Sequence, residues 1–198
     1  VLQAIQIVDE ATLRLCEGQY KDIDYEQRLD LKLNEYLDMA SAKTGALFEA
    51  ACHLGALVGT DDERKISSLR HFGEKLGLAY QIRDDMLGIW GEAEATGKPQ
   101  GSDIRQRKKS LPIVYALGKA QGKQRDRLLE MWRQKTISDE AVSAVMDILV
   151  DLGAQDYCQK LAGQYTQQAI SNLEKAGLPP EVRQILSDVA DFLVKRQY

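Results

Sequence analysis

Apolar residues recur at intervals of three and four along almost the whole chain, which is the spacing of one face of an α-helix. Sustained two-residue alternation of β-branched and aromatic residues, which is typical of half-buried strands, is missing. The pattern therefore predicts an all-α protein. The predicted helices cover residues 1–18, 26–41, 43–59, 61–92, 103–119, 122–134, 138–152, 154–176 and 179–197.

One long segment, from Gly91 to Ser110, interrupts this pattern. Its sequence, GEAEATGKPQGSDIRQRKKS, combines three glycines and a proline with a cluster of basic residues. Glycine and proline at this density indicate a loop. Since the segment directly follows the predicted helix 61–92, we expect lysines of the loop to reach back over that helix.

Length, charge and cysteine content narrow the class of protein. The 198 residues, 44% of them hydrophobic, suffice for the core of a single domain, and the net charge of -4 gives no general attraction to nucleic acid. The three cysteines stand singly, which favours a reducing compartment. No apolar run approaches the roughly 20 residues of a membrane-spanning helix. We expect a cytoplasmic protein without stable membrane insertion or a nucleic-acid partner.

The stretch QIRDDMLGIWG places two adjacent carboxylates inside an apolar helical pattern. Asp84, Asp85 and Gly88 follow Gln81 by three, four and seven residues, which predicts that the four share one helix face. Neighbouring carboxylates repel each other unless a cation lies beside them, and oxygen ligands of this kind suit Mg²⁺. A solvated acidic face paired with Arg83 or with a loop lysine explains the same pattern. Spacing alone leaves both interpretations open.

A second polar group opens the apolar helix at ASAKTGALFEAACHLGALVG. Lys43, near the amino-terminal end of this helix, adds its charge to the positive end of the helix dipole and would favour an anion. A surface lysine beside a capping Ser41 or Thr44 is the alternative. The many glycines and alanines of this helix permit either close helix packing or room for a long apolar ligand, and both remain open.

Three ordered motifs carry a resemblance to a known family. KTGALFEAAC, LGLAYQIRDDMLGIWG and TGKPQGSDIRQRKKSLP, with CEGQYKDIDYE upstream, closely resemble the carboxyl-terminal half of the trans-type isoprenyl (polyprenyl) diphosphate synthases. The resemblance covers residues 1–120 with specific motifs, and the helical remainder fits more loosely. It implies mostly antiparallel helices around a central cavity. It also implies Mg²⁺-dependent condensation of an allylic diphosphate with isopentenyl diphosphate.

The resemblance assigns charged residues to the metal ions and the diphosphate. Asp84 falls at the metal ligand of the family's second Asp-rich motif, with Asp85 beside it as a further ligand or as a partner that holds water. Lys43 and Lys98 fall at lysines that bind the allylic diphosphate. Together these residues would bind the leaving group and its cations.

The resemblance also implies neutral groups near the reacting carbon. Thr44 and Gln81 match positions where a hydroxyl or amide dipole stabilises the positive charge of the allylic cation. Apolar walls around them would keep water away from that cation. Lys108 and Lys109 lie in the basic stretch of the loop and would close it over the site.

Two departures from the family pattern stand out. The second motif reads D-D-x-x-D in many members, whereas its third acidic position is Gly88 here. The first Asp-rich motif is missing, and the pair Asp61-Asp62 does not replace it, because a position at a helix start favours capping. We therefore expect residues 1–198 to be the carboxyl-terminal portion of a single longer domain, or a truncated copy, that lacks half of the metal site.

Three functions fit this sequence. The first is a synthase that makes a linear isoprenyl diphosphate, acting as a homodimer as its family does. The second is a class I terpene cyclase on the same scaffold, although retention of GKPQGSDIRQRKKSLP favours the synthase. The third is a non-catalytic partner subunit or truncated homologue, which the missing first motif would favour.

Overall fold

The computed structural model describes residues 1–97, 99–134 and 136–195, and it is helical, without a β-strand, over those ranges. The all-α prediction is thus confirmed. No helix of the described ranges is both long and apolar enough to cross a bilayer. The elements are α1 (Leu2–Tyr25), α2 (Leu33–Ala40), a π-helical turn (Ser41–Gly45), α3 (Ala46–Gly59), α4 (Glu63–Trp90), α5 (Ala93–Thr96), α6 (Ser102–Arg105), α7 (Leu111–Lys119), α8 (Gly122–Arg133), α9 (Asp139–Asp151), α10 (Ala154–Lys175) and α11 (Pro180–Lys195).

The predicted boundary between the first two helices was wrong. Helix α1 continues to Tyr25, and α2 begins only at Leu33. Between them the Arg28 guanidinium donates to Asp30 and Glu35, and the Glu35 carboxylate also accepts from the Lys32 amide. These local hydrogen bonds satisfy polar groups outside a helix, and for that reason the segment does not join α2.

The predicted helix 103–119 is broken into α6 and α7. Arg107 has φ of 54°, a left-handed conformation that ends a helix. Pro112 then lies in the first turn of α7, where its missing N–H costs no hydrogen bond. The hydrophobic spacing runs through both helices, so periodicity alone did not reveal the break.

The start of α4 confirms the predicted cap. The Oδ1 atom of Asp62 accepts from the backbone amides of Arg64 at 2.9 Å and Lys65 at 3.4 Å. The Thr60 hydroxyl accepts from the Asp62 amide in turn. Asp62 therefore satisfies amides that the first turn of a helix leaves without partners.

The chain divides into two compact units. Of the described residues, the first consists of Val1–Lys21, Leu37–Gln81 and 161–195. Its main core joins Phe72 and Leu76 of α4 to small and apolar residues of α10 and α11, and a smaller cluster packs α1 on α3. The short side chains in these contacts let the helices approach closely.

The second unit consists of Asp22–Tyr36 and Ile82–Lys160. Its core is formed by the end of α4 and by α6, α7, α8 and α9, with Ile89, Leu117 and Leu149 almost wholly buried. Burying a side chain of this size stabilises the folded state by roughly 1.5–3 kcal/mol. This core supports the carboxyl-terminal part of α4, on which the two aspartates lie.

Candidate functional site

In the first unit, a π-helical turn carries Lys43 and Thr44. It spans Ser41–Gly45, and the residues on either side, Ala40 and Ala46, keep right-handed helical angles, so the chain stays helical from α2 into α3. π-Helical turns are rare and frequently occur at functional sites. The sequence did not reveal this turn, and a break at residue 42 was predicted instead. Nothing in SAKTG distinguishes the backbone hydrogen bonds of a π-helix, which join residues five apart, from those of an α-helix, which join residues four apart.

Glycines of two neighbouring helices hold this turn in place. A Cβ atom on Gly18 of α1 would lie 2.6 Å from the Lys43 Cα atom, and one on Gly77 of α4 would lie 2.8 Å from the Gly45 Cα atom. Both distances are too short for any side chain. Helices α1 and α4 therefore contact the backbone of the turn directly. This close packing positions the turn that carries Lys43 and Thr44.

Thr44 and Gln81, which were both predicted near the reacting carbon, are in direct contact. The Thr44 hydroxyl donates to the Gln81 Oε1 atom at 2.5 Å. Gln81 is buried and Thr44 and Lys43 are half-buried. The hydrogen bond uses the Thr44 proton and leaves the lone pairs of its oxygen for another contact. The catalytic roles of the two residues remain predictions.

In the second unit, Asp84 and Asp85 have opposite environments. Asp84 is exposed, whereas Asp85 is wholly buried. The Asp85 carboxylate accepts from the Tyr36 hydroxyl at 2.6 Å, the Leu111 amide at 2.7 Å and the Lys108 ammonium at 3.0 Å. Three donors of this kind satisfy a buried carboxylate. Asp85 thereby joins α2, α4 and the start of α7 inside this unit.

Lys108 lies between two acidic residues. Its ammonium is 3.0 Å from Asp85 and 3.5 Å from the Oδ2 atom of Asp103. Burial by itself would lower the pKa of Lys108, but attraction to these two carboxylates outweighs burial and raises that pKa well above its ordinary value. Burial, and then the charge of Asp85, also raises the pKa of Tyr36 well above its ordinary value. Lys108 is therefore held as a cation beside Asp85. The predicted pairing with a loop lysine is present, but the carboxylate is buried and not on a solvated face.

Asp103 of α6 is an acidic residue of this region that sequence analysis missed. It is buried, and burial raises the pKa of its carboxyl group, against the opposing effect of Lys108. Its position in a loop with several charged residues gave no reason to select it. The signal that could have found it is the absence of an acidic residue at Gly88.

The two adjacent loop lysines differ in what they contact. Lys109 is almost wholly buried, and its ammonium donates to the Glu26 carbonyl oxygen at 2.8 Å, just after the end of α1. It also lies over the Trp132 ring, 5.2 Å from the ring centre. Lys109 thus stabilises the second unit from inside, instead of facing an open site. Lys98, the other predicted diphosphate ligand, lies outside the described residues.

The acidic side chains of this region can be compared with what a divalent cation requires. Within residues 1–97, 99–134 and 136–195, no three acidic, histidine or cysteine side chains lie close enough together to hold a metal ion. Mg²⁺ commonly takes one or two protein carboxylates and completes its shell with phosphate oxygens and water. The exposed Asp84 carboxylate has the chemistry of such a ligand, and its role as one remains a prediction.

An all-α chain with an Asp pair on a long helix, and with the ordered lysine, threonine and glutamine motifs, has the features of a helical isoprenoid synthase. The profile of the polyprenyl synthetase family matches residues 1–149, and the chain belongs to that family. It is similar to the (2E,6E)-farnesyl diphosphate synthase of Mycobacterium bovis, with 36% identity over 98% of this chain and 55% of that protein. The chain thus spans little more than half the length of such relatives.

Solved structures give the same result. The polyprenyl synthetase of Streptomyces coelicolor A3(2) has a TM-score of 0.90 and 36% identity, over 97% of this chain and 59% of that one. The polyprenyl synthase of Caulobacter crescentus CB15, complexed with calcium and isoprenyl diphosphate, has a TM-score of 0.91 and 30% identity, over 100% of this chain and 60% of that one. The geranylgeranyl pyrophosphate synthase of Corynebacterium glutamicum, complexed with isoprenyl diphosphate and magnesium, has a TM-score of 0.90 and 27% identity, over 98% of this chain and 56% of that one. Structures of this family therefore include divalent cations.

Proposed function

We propose that this chain is the carboxyl-terminal portion of an enzyme that condenses an allylic diphosphate with isopentenyl diphosphate to give a longer linear isoprenyl diphosphate. The enzyme would use Mg²⁺, and Asp84 would be the carboxylate of this chain that holds the ion. Mg²⁺, bound with the diphosphate, would neutralise the negative charge that develops on the leaving group. Lys43 and Lys98 would bind the allylic diphosphate.

The observation that carries this proposal is the difference in exposure and hydrogen bonding between Asp84 and Asp85. Asp84 is exposed, so a cation from solution can reach its carboxylate. Asp85 is buried, and its oxygens already accept from the Tyr36 hydroxyl, the Leu111 amide and Lys108. A metal ion at Asp85 would compete with these donors for the carboxylate oxygens. We therefore propose Asp84 as the ligand, and Asp85 as the group that positions it by fixing α4.

The contact between Thr44 and Gln81 supports a role in stabilising the allylic cation. Oxygen dipoles that are already fixed before the reaction stabilise developing charge without reorganising. The Thr44 hydroxyl is fixed by donating to Gln81, and its lone pairs would face the positive charge. The proton lost at the end of the condensation would go to the released pyrophosphate.

The family resemblance also leads us to propose a homodimer in the cytoplasm. Large apolar side chains of α1, among them Leu2, Ile5 and Leu13, are exposed in this chain. Several exposed apolar side chains on one helix support a role of that helix in association. The thiols of Cys16, Cys52 and Cys158 are free, as is usual in a reducing compartment. Sedimentation velocity of the chain would test the dimer.

Binding and turnover should be measured separately. Titration of the chain with geranyl diphosphate, in a calorimeter, should show binding that requires Mg²⁺. Asp84→Asn should weaken that binding at least tenfold, because it removes the charged metal ligand. Asp61→Asn removes a carboxylate that is also exposed but precedes α4, and is the matched control. Equal binding by the Asp84 and Asp61 variants would contradict the proposal.

Turnover identifies the reaction class. Incubation with geranyl diphosphate and labelled isopentenyl diphosphate should give a longer linear diphosphate if the chain is active by itself. Binding without product would instead favour a partner subunit or an incomplete enzyme. A hydrocarbon or alcohol formed from an allylic diphosphate alone, without chain extension, would favour a terpene cyclase.

A further inference from the structure

A groove in the second unit lies between the α1–α2 connection and α7. Its volume is about 610 Å³, and it is lined by residues 29–33, by the second half of α7 and by Arg125 of α8. Leu31, Val114 and Leu117 give it an apolar lining, and all three are almost wholly buried. Pockets for small ligands measure roughly 300–1,000 Å³. The groove is therefore of a size and polarity that suit a small apolar molecule.

The charges around this groove are mostly positive. Of the described residues that line it, Lys32, Lys119 and Arg125 are cations, and Asp30 is the one carboxylate. The Asp30 Oδ1 atom lies 3.1 Å from the Arg28 Nε atom, so this carboxylate already has a cation beside it. A concave surface lined by an excess of one charge attracts ligands of the opposite charge. The groove thus favours a ligand that is both apolar and anionic.

Two of the three cations are fixed by neutral acceptors. The Lys119 ammonium donates to the Tyr115 hydroxyl at 2.6 Å and to the Leu152 carbonyl oxygen at 3.1 Å. The Arg125 guanidinium donates to the Leu117 carbonyl oxygen. Because these acceptors carry no charge, the hydrogen bonds hold both cations in place without neutralising them. Lysine has three N–H donors and arginine five, so both side chains keep donors for a ligand, and groups fixed beforehand lose less entropy on binding.

We propose that this groove binds a free amphiphile with one apolar chain and an anionic head group, the chemistry of a fatty acid or an alkyl phosphate. The chain would lie along Val114 and Leu117 of α7, and the head group would contact Lys119 and Arg125. A free molecule fits better than a membrane surface, because the apolar residues that line the groove are buried and a bilayer would not reach them. This inference does not depend on the proposed function, since none of these residues belongs to the candidate functional site.

Gly118 allows the groove to be filled by substitution. It lines the groove on α7, and a Cβ atom at this residue would have no other atom within 4 Å. Gly118→Leu would therefore add an apolar side chain where the ligand is expected, and leucine favours a helix more than glycine does. The matched control is Gly163→Leu. Gly163 is also exposed and helical, in α10, and its Cβ position is equally open.

Dodecyl phosphate is the probe for this site. It would be titrated into the chain in a calorimeter, below its critical micelle concentration and with EDTA present, so that divalent cations take no part. The unaltered chain should bind it, and Gly118→Leu should raise the Kd by about tenfold or more, because the alkyl chain loses its apolar contacts. Gly163→Leu should bind within about twofold of the unaltered chain, as surface changes usually do. Equal affinity of the two leucine variants would overturn the proposal.

Lysine variants test the head group, and they keep the test decisive if Gly118→Leu does not fold. Lys32→Gln/Lys119→Gln should raise the Kd for dodecyl phosphate by about tenfold, because charged hydrogen bonds are lost, and should leave binding of the uncharged dodecanol unchanged. The control Lys160→Gln/Lys175→Gln removes the same charge from exposed positions of α10. Equal effects of the two double variants would mean general attraction to a positive protein surface, and would contradict a site in this groove.

Two further measurements exclude other places for the probe. Vesicles of phosphatidylcholine and phosphatidylglycerol should not sediment the chain, and sedimentation without binding of dodecyl phosphate would overturn the proposal in favour of a lipid surface. Lys43→Gln, at the proposed diphosphate site, should leave binding of dodecyl phosphate unchanged. If Lys43→Gln abolishes that binding while Gly118→Leu retains it, the amphiphile binds at the proposed diphosphate site. The groove proposal would then be wrong and the proposed function would stand.

Discussion

The Tyr36 hydroxyl donates to the Oδ2 atom of Asp85 at 2.6 Å, and both residues are almost wholly buried. The two residues are 49 positions apart in the sequence. Within the second unit, this hydrogen bond ties α2 to the part of α4 that carries the Asp pair. It also explains how a carboxylate can lie in an apolar helical pattern without facing solvent.

Removal of the Tyr36 hydroxyl should destabilise the chain without changing its shape. Tyr36→Phe would leave one oxygen of the buried Asp85 with one donor fewer, and we expect a loss of about 1–3 kcal/mol in the free energy of unfolding. Urea denaturation followed by circular dichroism would measure it. Tyr20→Phe, at a residue that is 72% exposed, is the matched control. Equal effects of the two changes would show that the hydrogen bond contributes nothing.

The two aspartates should respond in opposite ways to the same change. Asp85→Asn leaves the Lys108 ammonium without its nearest charged partner, and breaking a buried ion pair of this kind typically costs about 3–5 kcal/mol. Asp84→Asn alters an exposed residue, so the free energy of unfolding should change by about 0.5 kcal/mol or less. Urea denaturation of both variants would compare the two costs. A larger loss of stability in Asp84→Asn would reverse the roles proposed for the pair.

The sequence predicted the helical fold and the candidate site residues, but it did not reveal the environment of each of those residues. Helical periodicity depends on neighbours three and four residues away, so it identified α4. It placed Asp84 and Asp85 on one face, whereas in the structure Asp84 is exposed and Asp85 is buried. The donors that distinguish the two aspartates come from Tyr36, Lys108 and Leu111, and these lie 49, 23 and 26 positions from Asp85. Only the folded chain brings such groups together.

Backbone geometry is the second property that could not be predicted from the sequence. The π-helical turn at Ser41–Gly45 uses the same residue types as an ordinary helix, and the glycines that pack on it come from α1 and α4. Likewise, the absence of an acidic residue at Gly88 was visible in the sequence. The carboxylate of Asp103 in the same space was not, because it depends on hydrogen bonds between α6 and α4.

A methyl group on the glycines that contact the π-helical turn should destabilise the first unit. Gly18→Ala and Gly77→Ala would place a Cβ atom 2.6–2.8 Å from backbone carbon atoms of the turn, and overpacking of this kind costs about 1–3 kcal/mol. Gly55→Ala is the matched control, since Gly55 is also helical but has no atom within 4 Å of its Cβ position. There we expect stabilisation of about 0.5–1 kcal/mol from the higher helix propensity of alanine.

The sign of the difference makes this test decisive. Thermal or urea denaturation should give Gly18→Ala and Gly77→Ala a lower free energy of unfolding than the unaltered chain. The same measurement should give Gly55→Ala a higher one. A change of the same sign and size at all three positions would mean that helix propensity, and not contact with the turn, decides the outcome.

The buried ammonium of Lys109 should make stability depend on pH in the alkaline range. Burial, and then the nearby charge of Arg107, lowers the pKa of Lys109 to about 8, whereas an unfolded chain has a lysine pKa of about 10.4. Between these values the unfolded state binds the proton more strongly. The contribution of Lys109 to the free energy of unfolding should therefore rise as the pH increases from about 8 to about 10.4, and stay constant below about 8.

Comparison with Lys109→Met isolates this effect from other groups that titrate in the same range. The difference in unfolding free energy, unaltered chain minus variant, should increase with pH by an amount on the order of 3 kcal/mol across that interval. The control Lys123→Met removes an ammonium from the surface, and it tests whether loss of any lysine gives the same pH course. A difference that stays flat from pH 8 to 10.4, or one that falls, would show that Lys109 keeps its proton in the folded chain, held by the Glu26 carbonyl and the Trp132 ring.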